Sequence, residues 1–493
     1  MQDLKKNYKI LLIKPNIMVR KGFVLQSKMS PPVGLAYIAA SLVNEGYEVK
    51  IIDMVAEDPD SSWDYHDTHV CHGLSDDNLI KRVHAFSPDI IGIGGFTSQF
   101  SRINQIVFTI KKNFPDIFVV LGGVNATAQP KFVMDKSKAD FIVLGEGEET
   151  IVEIVKAIQL KQIEQLKNID GIAYKQDNNI RINAKTKFIN NIDSIAWPAR
   201  NLLNHEKYIA DGVTMPVITS RSCPGRCAFC CVHLMTGKKW RPRNPYDVVD
   251  EIEELVTRWS YKNVSIFDDA SNVDPERLIT ICKEVVRRKL NIKLSFPSSV
   301  IVRFITKDLL YWMKQAGSIG LSIPIEHANE NMRNKIMKKG VSLEQVERVL
   351  DWCREIKLLT FANFVVGMPG ETEETLKELV DYVKKMARKL DGVSAYLATP
   401  FPGTSFYDDC LKNQYIKNPE KNDFLDFDTY TVHIQTKFLS KELLLHYKQV
   451  IEQSFLDTRG DEFPASYIRK IFRKPTSKDI DYLENVYFDQ NKI

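Results

Sequence analysis

The sequence predicts an α/β chain with an N-terminal doubly wound, Rossmann-like domain. A partial (β/α)6 barrel follows, then a C-terminal, mostly helical cap. Three observations predict this. Short apolar runs alternate with stretches of helical periodicity through the first 160 residues. A second αβ series starts at Val217-Ile218-Thr219. Beyond Thr404 the chain becomes aromatic, charged and short of strands. The expected boundaries are 1–190 for the first domain, 191–212 for a linker, 213–405 for the barrel and 406–493 for the cap.

In the first domain Lys9 to Ile13 reads as a strand that ends at Pro15. Gly34 to Asn44 reads as a helix that stops before Gly46. Glu48 to Asp53, Ile90 to Gly94, Phe118 to Leu121 and Phe141 to Leu144 are further strands. Helical stretches lie near Asp77 to Ala85, Ser101 to Asn113 and Glu148 to Ile158. Fully apolar strands separated by helices imply a parallel sheet covered on both faces, with its ligand beyond the carboxyl ends of the strands. Small residues cluster at those ends: Gly94-Gly95-Phe96-Thr97-Ser98, Gly122-Gly123-Val124-Asn125-Ala126-Thr127 and Gly145-Glu146-Gly147-Glu148. Glycine lets a backbone approach a ligand, but ordinary strand-to-helix turns also use it. Gly171 to Ala184 reads as a hairpin turning at Asp177-Asn178-Asn179.

The second series continues through strands at Val264 to Phe267, Lys293 to Phe296, Leu321 to Ile323, Phe361 to Val366 and Val393 to Leu397. Helices at Val248 to Arg258, Pro275 to Lys289 and Leu343 to Ile356 separate them, and Ser440 to Ser454 is a helix of the cap. In such a barrel the site lies at the carboxyl ends of the strands.

The balance of 67 basic against 63 acidic residues, a net charge of +4, argues for no nucleic-acid partner. No segment holds the roughly 18 unbroken apolar residues of a membrane span. The N-terminus does not resemble a signal peptide, so the expected compartment is the cytoplasm. Eight cysteines are too sparse for a disulfide scaffold, yet four fall between Cys223 and Cys231. Cys282 and Cys353 sit in helical patterns and read as buried packing residues.

Ser222-Cys223-Pro224-Gly225-Arg226-Cys227-Ala228-Phe229-Cys230 is the sharpest signal. It directly follows the first barrel strand. Three thiolates can hold three irons of a 4Fe–4S cluster and leave the fourth open to a small molecule. The competing reading is a zinc site completed by Cys231 or His233, against which stands the lack of a second ligand pair nearby. Cys231 reads as a packed thiol whose redox or substrate role stays open.

At these residues the chain resembles the radical SAM superfamily, whose signature is Cys-x3-Cys-x2-Cys with an aromatic before the last cysteine. Phe229 matches that aromatic. The resemblance continues through Phe267-Asp268-Asp269, Ile323-Pro324-Ile325-Glu326-His327, Gly367-Met368-Pro369-Gly370-Glu371-Thr372 and Thr399-Pro400-Phe401-Pro402-Gly403-Thr404. It implies that Cys223, Cys227 and Cys230 hold a 4Fe–4S cluster that binds and reductively cleaves S-adenosylmethionine (SAM). It also implies an electron donor such as flavodoxin or ferredoxin. Phe229, Asp268, Ser298, Arg303 and Glu326 are the expected SAM contacts. Salt-bridge roles compete for Asp268, Arg303 and Glu326.

The doubly wound domain before this core resembles the cobalamin-binding domain of the cobalamin-dependent radical SAM family. Pro31-Pro32-Val33-Gly34-Leu35-Ala36-Tyr37 and the glycine clusters carry the resemblance. It places cobalamin against Gly94, Thr97, Gly122, Gly123, Glu146 and Gly147. Asp67-Thr68-His69-Val70-Cys71-His72-Gly73 nearly spells a cobalt-ligating motif, but its glycine is one residue late and it follows the wrong strand. It reads as a loop, with a metal site of His66, His69, Cys71 and His72 as the minor alternative.

The resemblance thus implies a cobalamin-dependent methyltransferase acting on an unactivated carbon of a small molecule or natural product. Oxidative cyclisation or rearrangement in the same architecture is the rival, and a non-catalytic cobalamin or redox sensor is a third reading. The basic run Lys238-Lys239-Trp240-Arg241-Pro242-Arg243 reads as a solvated stretch, or else as a meeting point for an anionic substrate.

Overall fold

The structure is a computed structural model that describes residues 8–22, 29–177, 179–297, 299–416, 424 and 429–460. Its first unit contains ten strands. They are β1 (Lys9–Lys14), β2 (Ile17–Arg20), β3 (Glu48–Asp53), β4 (Ser62–Tyr65), β5 (His69–His72), β6 (Ile90–Gly94), β7 (Phe118–Gly122), β8 (Phe141–Val143), β9 (Ile172–Gln176) and β10 (Asn179–Asn183).

Seven of them form one sheet in the order β10-β9-β8-β7-β6-β1-β3. Strands β3, β1, β6, β7 and β8 are parallel, and the β9–β10 hairpin adds on antiparallel. Asn178 of its expected turn lies outside the described residues. The parallel strands alternate faces as a doubly covered sheet requires. Ile10 and Leu12 pack with Ala39, Leu42, Ile154 and Val155, whereas Leu11 and Ile13 pack with Leu79, Val83, Ile106 and Ile110. Chain order reverses between β1 and β6, which puts the ligand crevice at the carboxyl ends of those two strands.

One expectation is corrected. The segment from His66 to His72 is not a loop: β4 and β5 form a hairpin that pairs with β2 in a second, three-stranded antiparallel sheet. Its partner strand lies some fifty residues earlier, so no local pattern announces the pairing. His66 takes the turn in a left-handed conformation (φ 56°), and His69 and Cys71 are buried.

The second unit contains β11 (Met215–Val217), β12 (Ser220–Arg221), β13 (Arg241–Pro242), β14 (Asn263–Ile266), β15 (Lys293–Ser295), β16 (Gly320–Glu326), β17 (Leu359–Val366) and β18 (Gly392–Leu397). Six of these make the partial barrel as two parallel three-stranded arcs, β11-β14-β15 and β16-β17-β18. Outward residues such as Val264, Ile323, Phe364 and Ala395 bury against the surrounding helices. Those helices start where the chain supplies caps. Asp274 accepts from the Arg277 amide with Pro275 in the first turn, and Ser342 forms a capping box with Gln345. Cys282 and Cys353 are fully buried in them, as their pattern predicts.

After the barrel, helices run over Ser405–Lys412 and Lys441–Arg459. Much of the expected cap, including 461–493, lies outside the described residues. No helix among the described residues is long and apolar enough to cross a membrane.

Candidate functional site

The cysteine loop leaves β12 at Ser222, whose left-handed backbone (φ 72°) turns the chain into the barrel mouth. The loop is pinned from several sides. Asp269, just past β14, accepts from the Ser222 amide (3.0 Å) and the Thr236 hydroxyl (3.2 Å). His233 Nε2 lies 2.8 Å from the Cys223 carbonyl. Ala228 donates its amide to Met337 (2.9 Å) and accepts from the Phe406 amide (3.0 Å). Phe229 packs against the cluster formed by Met332, Met337, Met368 and Phe406.

Cys223, Cys227 and Cys230 are free thiols, near enough to feel one another's charge. The Gly225 amide points at the Cys223 sulfur (3.3 Å). Burial pushes all three thiols up, Cys230 to about 12, although that residue stands at the exposed edge of the loop. Protons must therefore leave as iron binds. Among the described residues no three His, Cys, Asp or Glu side chains converge on a point fit for a single metal ion. Three free thiols on one loop, each able to take its own iron, are the donor set of a 4Fe–4S group with one iron left open. Cys231 is a free, half-buried thiol that feels the Asp269 charge.

The expected SAM contacts separate into three kinds. Asp268 is buried and its carboxylate is taken: it accepts from the Thr219 amide, the Thr219 hydroxyl and the Ser220 hydroxyl, each at 2.6 Å. It braces the strand ends and presents no open oxygen. Glu326 ends β16, buried, in a left-handed conformation (φ 69°). One of its oxygens meets Lys339 Nζ at 2.6 Å. Arg303 is exposed, lies over the Phe304 ring and is felt at Cys223. Ser298 lies outside the described residues.

At the first unit's strand ends the glycines differ in role. A Cβ on Gly122 would meet nothing within 4 Å. Gly123 is left-handed (φ 101°), and a Cβ there would lie 2.3 Å from the Gly95 carbonyl. It is required for the turns after β6 and β7 to touch. Gly94 and Gly147 pack closely on Leu35 and Ile38. Thr97 is buried in the turn after β6. Beside Gly123, Asn125 is buried with both side-chain amide atoms unpartnered. An orphaned amide beside open space at a strand end fits a polar group arriving there, as the periphery of a corrin would.

Glu146 is not free for such a ligand. Its carboxylate meets Arg221 (3.1 Å), Arg241 (2.7 Å) and the Ile189 amide (3.0 Å). Arg221 also reaches Glu148 at 2.5 Å. The basic run is accordingly not all solvated. Lys238 and Lys239 are exposed, but Arg241 and Arg243 are buried, Arg243 between Glu251 (2.5 Å) and Asp247 (2.6 Å). Burial alternates from Arg241 through exposed Pro242 to Arg243, so both arginines turn inward.

Sequence reasoning missed Lys339, Asn125 and the role of Asp269. A lysine pair before a glycine looks like a solvated turn, and the buried amide shows only once its neighbours are placed.

Residues 217–383 match the family model of the radical SAM superfamily, and residues 28–155 match that of the B12 binding domain. An uncharacterized methyltransferase of Pyrococcus horikoshii is 31% identical over 388 residues, covering 78% of this chain and 80% of the relative. The anaerobic magnesium-protoporphyrin IX monomethyl ester cyclase of Rubrivivax gelatinosus is 28% identical, covering 85% and 72%. Among solved structures, the radical S-adenosylmethionine methyltransferase TsrM from Kitasatospora setae, with cobalamin and a 4Fe-4S cluster bound, superposes with a TM-score of 0.66. That match covers 82% of this chain and 75% of TsrM at 20% identity.

Proposed function

Since the chain belongs to the radical SAM superfamily, among its members with a B12-binding domain, we propose that it is a cobalamin-dependent methyltransferase acting on an unactivated carbon of a small molecule or natural product. One observation carries the reading: the thiol loop at the barrel mouth is ion-paired directly to the segment that follows β8, at the carboxyl ends of the first unit's parallel strands. The bound groups supply a hydrogen-abstracting radical and a methyl group; the chain supplies position and a dry enclosure.

In this reading Cys223, Cys227 and Cys230 each take one iron. Phe229 packs behind the loop. Arg303 would reach the carboxylate or ribose of SAM and Glu326 its ammonium or ribose hydroxyls, and Ser298 keeps its expected place at the same strand end as Arg303. Gly94, Thr97, Gly122 and Gly147 line the corrin crevice, Gly123 shapes it and Asn125 offers its amide. Asp268 and Glu146 are braces. A flavodoxin or ferredoxin in the cytoplasm supplies the electron.

The cyclase relative keeps oxidative ring closure as the second reading. The test is anaerobic purification with hydroxocobalamin, then reconstitution with iron and sulfide. The expected content is about one corrin beside roughly four irons per chain. The loaded protein is next given methyl-deuterated SAM and cell extract. A product carrying the labelled methyl supports transfer. An extract compound that loses hydrogen without gaining label moves the reading to cyclisation.

A further inference from the structure

We propose that Lys339 is a positioning residue of this site: it fixes Glu326 at the barrel mouth and sets one positive charge against the cluster thiols. It thereby tunes both the SAM seat and the reduction potential of the cluster. The proposal rests on the radical SAM reading of the three cysteines, not on methyl transfer.

The geometry is built rather than incidental. β16 shifts register between Pro324 and Glu326, and Glu326 adopts a backbone that L-residues seldom hold. Something must stabilise it there. Lys339 Nζ lies 2.6 Å from Glu326 Oε1, with the two side chains 16% and 7% exposed. The second carboxylate oxygen has no hydrogen-bond partner among the described residues.

Between the two residues the chain makes a closed excursion through a π-helical turn, Asn331–Ile336. Such turns concentrate at functional sites. Buried Arg333 staples it, donating to the His327 (2.9 Å), Ala328 (2.6 Å) and Val341 (2.8 Å) carbonyls. Asn334 Oδ1 accepts from the Gly340 (3.0 Å) and Val341 (3.1 Å) amides. The Lys339 amide closes onto the Arg333 carbonyl (2.9 Å), and Met337 in the same excursion receives the Ala228 amide of the cysteine loop.

Lys339 therefore cannot drift from either partner. Its charge is felt at Cys227 and Cys230, and that of Glu326 is felt at Cys227 with the opposite sign. An ion pair that served stability alone would need no such delivery beside the thiols. The potential of an iron–sulfur cluster rises with positive charge nearby and falls with negative charge.

The experiment uses the full-length, reconstituted protein as wild type, Lys339→Gln, Lys339→Arg and Glu326→Gln, with iron content measured first. Redox titration followed by electron paramagnetic resonance reads the midpoint potential, and equilibrium binding reads SAM affinity. Lys339→Gln is expected to lower the potential and weaken SAM binding about tenfold. Glu326→Gln is expected to raise the potential, and Lys339→Arg to stay near wild type. Opposite signs are the mark of the proposal, since structural damage would not move the two neutral variants apart. Equal potentials in wild type, Lys339→Gln and Glu326→Gln at full iron content overturn it, as does unchanged SAM affinity in Lys339→Gln. A wild-type protein that forms no 4Fe–4S cluster would instead overturn the radical SAM reading beneath it.

Discussion

Glu146 Oε1 lies 2.7 Å from Arg241 Nη2, and the pair joins the end of the first sheet to the barrel. The same carboxylate meets Arg221. Arg221 leads into the cysteine loop and Arg241 leads out of it, paired across the short β12–β13 ladder. A single residue of the first unit thus holds both ends of the loop that carries the thiols. Gly145 seats the other side of the contact, where a Cβ would stand 3.2 Å from the Met235 carbonyl.

Glu146→Gln should therefore destabilise the protein by about 3 kcal/mol, because two buried guanidiniums lose their shared charge. Denaturant unfolding of the apoprotein measures it. A loss below about 0.5 kcal/mol would mean that the pair carries no weight.

The same interface predicts acid sensitivity. Burial alone would raise the Glu148 carboxyl, but the Arg221 charge and hydrogen bond outweigh it and hold it below the ordinary glutamate value. A depressed carboxyl contributes stability that is full above the unfolded value, about 4.3, and is lost as pH falls through the folded one. Thermal unfolding of the apoprotein should show Glu148→Gln less stable than wild type at pH 6, with the gap closing below pH 4. A gap constant across that range would contradict the assignment.

Neighbouring glycines should behave oppositely. Gly123→Ala combines a left-handed backbone with a 2.3 Å clash and should cost about 2 kcal/mol or more. Gly122→Ala meets open space and should leave stability unchanged while weakening corrin binding, since its methyl enters the crevice. Spectrophotometric titration with hydroxocobalamin checks it. Full corrin affinity in a stable Gly122→Ala would place the corrin elsewhere.

Cys227→Ala should lose the cluster's iron and all SAM cleavage, while Cys231→Ala should keep both. Iron analysis and 5′-deoxyadenosine assay read the two. A Cys227→Ala protein that still forms 5′-deoxyadenosine would refute the donor set.

Local pattern carried most of this architecture. The apolar run in residues 9–13 and the helical periods at Pro275 to Lys289 and Leu343 to Ile356 mark elements that form from neighbours in sequence. What it could not show depends on distant partners. β5 pairs with β2, Glu146 with two barrel arginines, and Lys339 with Glu326, all through contacts that no periodicity encodes. Asp268 illustrates the limit at the site. A carboxylate at a barrel mouth reads as a ligand until three donors from the adjoining strand end are found on it.

The most direct test of the central claim is the ratio of coproducts. Fully loaded protein is given SAM, a one-electron reductant and the extract that holds its substrate. Methyl transfer to an unactivated carbon consumes SAM in two ways, so S-adenosylhomocysteine and 5′-deoxyadenosine should accumulate in about equal amounts, matched by methylated product. Sustained 5′-deoxyadenosine without S-adenosylhomocysteine would contradict methyl transfer and leave radical chemistry of another kind.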